Sequence, residues 1–321
     1  MQNYSKIQKF LHDMVLGKKF INKSLYEIEK IIFLKDKQIK NENHLFITGL
    51  PRSGTTSLLN FIYSSNKYAS LTFKNMPFLL SPHFSKSFNK QNIKRKQRIH
   101  NDGISYDINS PEALDEIFFN NDVEFVKTEL IYYIQLILNS VNKNKYLSKN
   151  NLNFKRIDLI NSILPNSKFL IPIREPLQHA YSLLNQHLHF CKLQKKDDFI
   201  RRYMNYLGHF EFGISHKSWK SPLNYNNFNK IDYWLEQWFL IYQNIFEKYQ
   251  SYKNCQFIIY EKLNDLNYLG SIIEKIGLKN ENLNLEYFKN SNKSEINIIF
   301  DESNYDKAKL LYKNFLHLKF H

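Results

Sequence analysis

Two hydrophobic spacings alternate along the chain. Short apolar runs between polar residues predict buried strands, and apolar positions three and four apart predict helices. The helical spacing occurs twice in the first 40 residues, at Phe10, Leu11, Met14 and Val15 and again at Leu25, Ile28, Ile31 and Ile32. It predicts an N-terminal helical extension over 1–40, packed outside the main sheet and carrying no chemistry. A strand over His44–Thr48 then leads through a glycine loop into a helix over Thr55–Ser64. Tyr68–Phe78 reads as a second short strand leaving a loop, punctuated by Pro77 and Pro82. Residues 84–98 are polar and basic without an apolar period, which suits a lid.

Ser110 stands where it could cap a helix with Pro111 at its first position, turning Ala113, Leu114, Ile117 and Phe118 inward. A second helix, 125–141, sets Ile131, Ile134, Leu138 and Val141 on one face. Lys145–Asn151 reads as a strand ending in polar groups, and 154–164 as a helix stopping before Pro165. Lys168–Arg174 is a buried strand ending in arginine; the helix after Pro176 carries Ala180, Leu183, Leu184 and His187. Residues 199–221 predict a helical, lid-like insertion. Tyr233–Tyr249 is an aromatic amphipathic helix with Trp234, Trp238, Ile241 and Ile245 inward, followed by a strand from Cys255 to Tyr260-Glu261. A helix over 268–277 closes at Gly277, and a last helix starts near Tyr305. Strands alternating with helices predict an α/β fold of three layers, αβα, around a mostly parallel sheet.

The chemistry concentrates at the first strand–helix junction, Thr48-Gly49-Leu50-Pro51-Arg52-Ser53-Gly54-Thr55-Thr56. Two glycines five residues apart let the backbone approach an anion, and the following helix N-terminus adds partial positive charge. The loop departs from a Walker A motif, which needs Lys and then Ser or Thr directly after the second glycine. Thr55 holds the lysine position, and Arg52 is the nearest cation. In open parallel sheets ligands collect at strand carboxyl ends, where Lys149 and Arg174 fall. Ser182 follows Arg174 by eight residues, so a strand-end guanidinium and a helix hydroxyl can share one small anion. His100-Asn101-Asp102-Gly103 is a short polar turn, and His187 and His189 lack a third ligand at metal-binding spacing.

Composition narrows the field. With 321 residues, 43% hydrophobic and 16% aromatic, the chain can build one large core. No apolar run of about 18 residues predicts a membrane span, and the first ten residues lack a signal-peptide core. Cys191 and Cys255 are too few for a disulfide framework, so a cytoplasmic protein is expected. The net charge of +15 suits an anionic partner, yet the lysines are scattered. Their one dense cluster is Lys94-Arg95-Lys96 with Arg98 nearby. No nucleic-acid motif is visible, and none is expected as a partner. Peripheral contact with an anionic membrane stays open, as does the oligomeric state.

The Pro51–Thr56 loop resembles the 5′-phosphosulfate loop of sulfotransferases that use 3′-phosphoadenosine 5′-phosphosulfate (PAPS). Arg174 and Ser182 resemble the 3′-phosphate site of the same superfamily. Finding both in order, roughly 120 residues apart, is harder to produce by chance than either alone. Asn75–Phe78, His100–Gly103, Ser110–Ala113, Ser148–Asn151, Arg202–His209 and the strand ending Tyr260-Glu261 extend a likeness to bacterial members over about 45–278.

The resemblance implies a P-loop sulfotransferase-like domain over 41–321, with helical lid insertions around 76–125 and 199–230. It implies direct sulfuryl transfer from PAPS, leaving PAP, to a hydroxyl or amine on a carbohydrate, lipid or small metabolite, without a metal. Arg52 would neutralise charge on the bridging oxygen. The N–H groups of Ser53, Gly54, Thr55 and Thr56, with both threonine hydroxyls, would hold the phosphosulfate; Lys149 would stabilise the transferring group. His100 is the first choice of base, with Asp102, Glu112 and Glu129 as rivals. One departure stands out: no glycine follows Gly277, so the glycine-rich 3′-phosphate loop of cytosolic phenol sulfotransferases has no counterpart. Phenol and steroid acceptors are therefore not favoured. The other readings are a P-loop nucleotide kinase or hydrolase and a non-catalytic binder of polyanions.

Overall fold

A computed structural model of the chain describes residues 4–34, 43–88, 95–279, 281, 283–288 and 295–318. Lys94 and the rest of 89–94 in the polar stretch, and 35–40 of the N-terminal segment, lie outside the described residues.

In chain order the strands are β1 (Leu45–Ile47), β2 (Tyr68–Ala69), β3 (Lys96–Gln97), β4 (Ser105–Tyr106), β5 (Lys145–Lys149), β6 (Lys168–Ile173) and β7 (Cys255–Ile259). The helices begin with α1 (Lys6–Val15), α2 (Lys19–Phe33), α3 (Thr55–Tyr63) and α4 (Pro82–Phe88). They continue with α5 (Glu116–Phe119), α6 (Val123–Val141), α7 (Ile157–Ile163) and α8 (Pro176–Lys196). The last are α9 (Asp198–Tyr206), α10 (Ile231–Tyr249), α11 (Leu266–Lys275) and α12 (Glu302–His317).

The main sheet runs β2-β5-β1-β6-β7, and every pairing in it is parallel. Each core strand is apolar on both faces because helices cover both. Phe46, Tyr146, Phe169, Ile171 and Ile173 pack with α6, α8 and α10. Leu45, Ile47, Leu147, Leu170 and Ile258 pack with α3 and α11. The chain leaves β1 for β2, returns through β5, then crosses to β6 and β7. Winding reverses at β1, so a crevice opens at its carboxyl end.

Three expectations change. Ser110 caps no helix: it accepts from the Asp107 N–H at 2.9 Å, while Pro111 bridges to Thr72 and Glu112 N–H donates to Leu71 O at 3.2 Å. Helix α5 starts only at Glu116, because the buried Asp115 carboxylate is claimed by Tyr146, Ser148 and Asn150. Tertiary demand overrides the local capping signal there. In α6, Ile134 and Leu138 are buried as predicted, but Val141 is exposed at the helix end. In α1 and α2 the helices form, yet Phe10, Met14, Ile28, Ile31 and Ile32 are exposed while Asn22 and Glu29 are buried. Glu29 accepts the N–H groups of His83 and Phe84, both at 2.9 Å. It satisfies first-turn donors of α4 that this helix cannot pair itself, so the polar face of α2 turns inward.

Candidate functional site

The carboxyl ends of β1, β5, β6 and β7 open into one cleft of about 970 Å³. The loop after β1 supplies Arg52 and Gly54–Thr56, β5 ends on Lys149, and Arg174 and Tyr260 follow β6 and β7. Gly54 has φ 91° and N-caps α3 without any side-chain hydrogen bond. A Cβ there would sit 2.6 Å from the Tyr260 ring. The glycine thus supplies both a left-handed backbone and the gap beneath Tyr260. Arg52 is also left-handed, at φ 72°. For a residue with a Cβ this costs about 1 kcal/mol or more, a cost borne where the side chain must point into the site.

Arg52 Nε donates to Ser182 Oγ at 3.1 Å, and Arg174 Nη1 donates to Arg52 O at 3.2 Å. Arg52, Arg174 and Ser182 therefore meet, although they come from separate elements. Arg174 also lies 5.0 Å from the Tyr260 ring centroid, a cation–π contact. Ser53 points elsewhere: its hydroxyl is buried on Leu50 O at 2.8 Å, leaving only its backbone for a ligand. Thr55 Oγ1 lies 3.5 Å from Asn151 Oδ1, and Asn151 Nδ2 lies 3.3 Å from Glu211 Oε1.

His100–Gly103 is the tip of the β3–β4 hairpin, which pairs Lys96 with Tyr106 and Gln97 with Ser105. The tip inserts a charge network. Asp102 binds both Arg98 and Arg52, the latter at 3.2 Å. Glu112 binds both Arg98 and Lys149, the latter at 3.6 Å. Arg98 thus holds two carboxylates, and each carboxylate holds a second cation. Although burial pushes the other way, Arg98 is the leading influence holding Asp102 and Glu112 below the usual carboxylate range. Burial, reinforced by Arg98, holds the His100 imidazole well below its ordinary value. Its Nδ1 is buried without a hydrogen-bond partner among the described residues. Burial also lowers the Arg52 guanidinium, from a value so high that it stays charged.

Helix α8 aligns the two halves of this site from one face. Buried His179 meets Pro51 O through Nε2 at 2.7 Å and fixes the loop; burial lowers its pKa to about 3. Ser182 takes Arg52, His189 Nε2 meets Ile99 O at 2.7 Å, and Phe190 lies 5.1 Å from the His100 ring. These positions recur at helical spacing.

The expected residues Arg52, Gly54, Thr55, Thr56, His100, Asp102, Glu112, Lys149 and Arg174 all line the cleft. Ser182 lies behind the Arg52 guanidinium, and Ser53 is buried under the loop. Glu129 is elsewhere, bound to Tyr26 OH at 2.7 Å and Lys30 Nζ at 2.8 Å. The sequence offers no role for Arg98 beyond its place near the Lys94-Arg95-Lys96 cluster in the polar 84–98 stretch. The Asp102-Gly103 dipeptide is the signal that could have placed it on a hairpin. Tyr4, expected to carry no chemistry, also lines the cleft. After Glu261 the described lining residues, among them Asn284, Tyr287 and Tyr312, include no lysine or arginine. Among the described residues no group of three or more His, Cys, Asp or Glu could hold a metal, and no helix is long and apolar enough to cross a membrane.

A glycine loop opening a helix at the switch point of a parallel sheet is an arrangement suited to binding an anion. The chain belongs to the sulfotransferase family, whose model matches residues 44–233, more than half of its length. Sulfotransferase STF9 from Mycobacterium avium shares its fold, with TM-score 0.52 and 12% identity over 95% of this chain and 83% of that one. Sulfotransferase STF1 from Mycobacterium tuberculosis H37Rv is similar to it at TM-score 0.52 and 12% identity, over 97% and 85% of the two chains. No curated protein matches it in sequence.

Proposed function

We propose that the chain moves a sulfuryl group from PAPS to a hydroxyl held in the same cleft. The observation that carries this reading is the meeting of Arg52, Arg174 and Ser182 at the uncapped start of α3. The fit is electrostatic and steric: a multiply charged anion needs several cations and backbone N–H donors, and Gly54 lets the loop pass beneath Tyr260 where a Cβ would clash. The donor supplies an activated sulfur, whose bond to the phosphate oxygen breaks as a bond to the acceptor oxygen forms. Arg52 and the first-turn N–H groups of α3 hold the charge left on the phosphate side. Arg174 holds the far phosphate, and Ser182 orients Arg52 beside the near one. Lys149 neutralises the equatorial oxygens, and the transition state asks mainly for such positioning. Asp102 and Glu112 are committed to cations, so we assign proton removal to His100 and assign the carboxylates to holding Arg52, Arg98 and Lys149 in place.

Calorimetry with PAP and with Mg-ATP separates this reading from a kinase or hydrolase. PAP is expected to bind without a metal; tight Mg-ATP binding with PAP ignored overturns the reading. A mere polyanion binder would bind generic polyanions in a steeply salt-dependent way, and an Arg52→Ala/Arg174→Ala double variant would leave that binding intact.

Neutral His100 can accept a proton throughout the neutral range. Its depressed pKa means that kcat/KM stays flat as pH falls from 8 and drops only well below the ordinary histidine value. His100→Gln is expected to lower kcat on the order of a hundredfold and to erase that acid limb. An unchanged rate and profile would remove His100 from the chemistry.

A further inference from the structure

The cleft has two differently built sides. At about 970 Å³ it reaches the upper end of the range for single-ligand pockets, so it has room for a second molecule beside a nucleotide. On the hairpin side the walls are rings. Phe190 meets His100 edge-on at 5.1 Å and lies parallel to Phe212 at 6.3 Å. Tyr4 and Tyr203 lie 6.4 Å apart, and Phe73 and Tyr106 lie 4.5 Å apart. Leu114, Met204 and Leu207 fill between them, all buried. The Tyr203 hydroxyl feels the Glu112 charge, so this wall stands against the Lys149–Glu112 pair rather than in a remote pocket.

The polar groups on this side are mostly spoken for. Arg98, Asp102 and Glu112 close on one another, and Asn151 pairs with Glu211. Among the described residues nothing partners His100 Nδ1. Half-buried Ser105, Tyr106 and His209 and exposed Arg95 are the polar exceptions in the lining. A sugar ring would bring several hydroxyls against aromatic walls, and each one buried without a partner weakens binding roughly tenfold. A single hydroxyl on a flat apolar body loses nothing by the same burial and gains ring contacts.

We infer that the acceptor carries its reactive hydroxyl on a flat, apolar ring system, a phenol or a fused-ring alcohol, lodged between Phe190, Phe212, Tyr203 and Tyr4. This rests on the sulfuryl-transfer reading and narrows the carbohydrate, lipid or small-metabolite acceptor expected from the sequence to the last of these. The missing glycine-rich loop bears on the donor's 3′-phosphate and not on this wall. The ring system's hydroxyl loses its proton to His100 as its oxygen bonds to sulfur.

The test uses the full chain and three probes: 2-naphthol, methyl glucoside and 1-decanol. Without nucleotide, 2-naphthol fluorescence should titrate to one site. Phe190→Ala and Tyr203→Ala should each weaken that site roughly tenfold or more. Phe190→Leu and Tyr203→Phe, which keep the volume, guard against loss of folding, read by circular dichroism. With radiolabelled PAPS, kcat/KM for 2-naphthol should exceed that for methyl glucoside roughly a hundredfold. Equal or better transfer to the glucoside or to decanol overturns the inference, as does naphthol binding indifferent to every wall variant. Failure of PAP to bind would sink the donor reading instead, and the nucleotide-free titration would still decide the pocket.

Discussion

Arg52→Ala should abolish PAP binding at micromolar nucleotide and cut transfer on the order of a thousandfold or more. Among the described residues Arg52 is the one side chain that touches both the helix hydroxyl of Ser182 and the hairpin carboxylate of Asp102, while its own carbonyl receives Arg174. Removing it takes a guanidinium from the point where negative charge must grow. A loss on that scale matches the removal of an arginine that acts at a phosphoryl-transfer transition state. Folding should survive, because Asp102 keeps Arg98 and the Arg52 side chain is 24% exposed. Ser182→Ala is the graded control. It removes one hydrogen bond that orients Arg52, so a loss of roughly tenfold is expected. The check is calorimetry and steady-state rates on both variants, with circular dichroism for folding. Equal small effects from the two would mean that Arg52 is merely a structural arginine.

The frame of the protein was legible because its strands are buried on both faces. Leu45–Ile47, Lys168–Ile173 and Cys255–Ile259 read as continuous apolar runs, and the aromatic helix around Trp234 and Trp238 reads at 3.6-residue spacing. The loop at Gly49–Gly54 was legible because a backbone that must approach an anion needs glycine in sequence. Other parts depend on partners far along the chain. Glu29 looks like a surface residue until α4 needs a cap, and Ser110 looks like a helix start until Asp115 is claimed by β5. Arg98 sits among lysines and reads as solvated, yet its partners Asp102 and Glu112 bury it. The polar strands Lys96–Gln97 and Ser105–Tyr106 are too short to show a period, so the hairpin that delivers His100 left no mark beyond its Asp102-Gly103 turn.

That network gives the largest expected effect on stability. The Arg98, Asp102 and Glu112 side chains are 7%, 4% and 10% exposed. Arg98→Met keeps much of the volume but strands two buried carboxylates, and breaking a buried pair typically costs about 3–5 kcal/mol. Arg52 and Lys149 still reach one carboxylate each, so the low end, about 3 kcal/mol, is expected. For a chain of this size that corresponds to a fall in Tm of roughly 6–12 °C. The pH dependence carries a definite sign. In the intact protein both carboxyls sit below their ordinary values. Their pairing therefore stabilises the fold fully above the ordinary carboxyl range, about pH 4, and is lost as pH falls through the folded values. Without Arg98, burial acts with less opposition and both carboxyls rise. Acid then neutralises them in the variant while it is still removing stabilisation from the intact protein. The Tm gap between the two should be widest near pH 7 and narrow toward pH 4. Arg98→Lys keeps the charge but cannot fork to two carboxylates, and should fall between them. Thermal melts across pH settle it: a gap that is small at pH 7, or that widens on acidification, would mean that Arg98 does not hold the hairpin tip to the sheet.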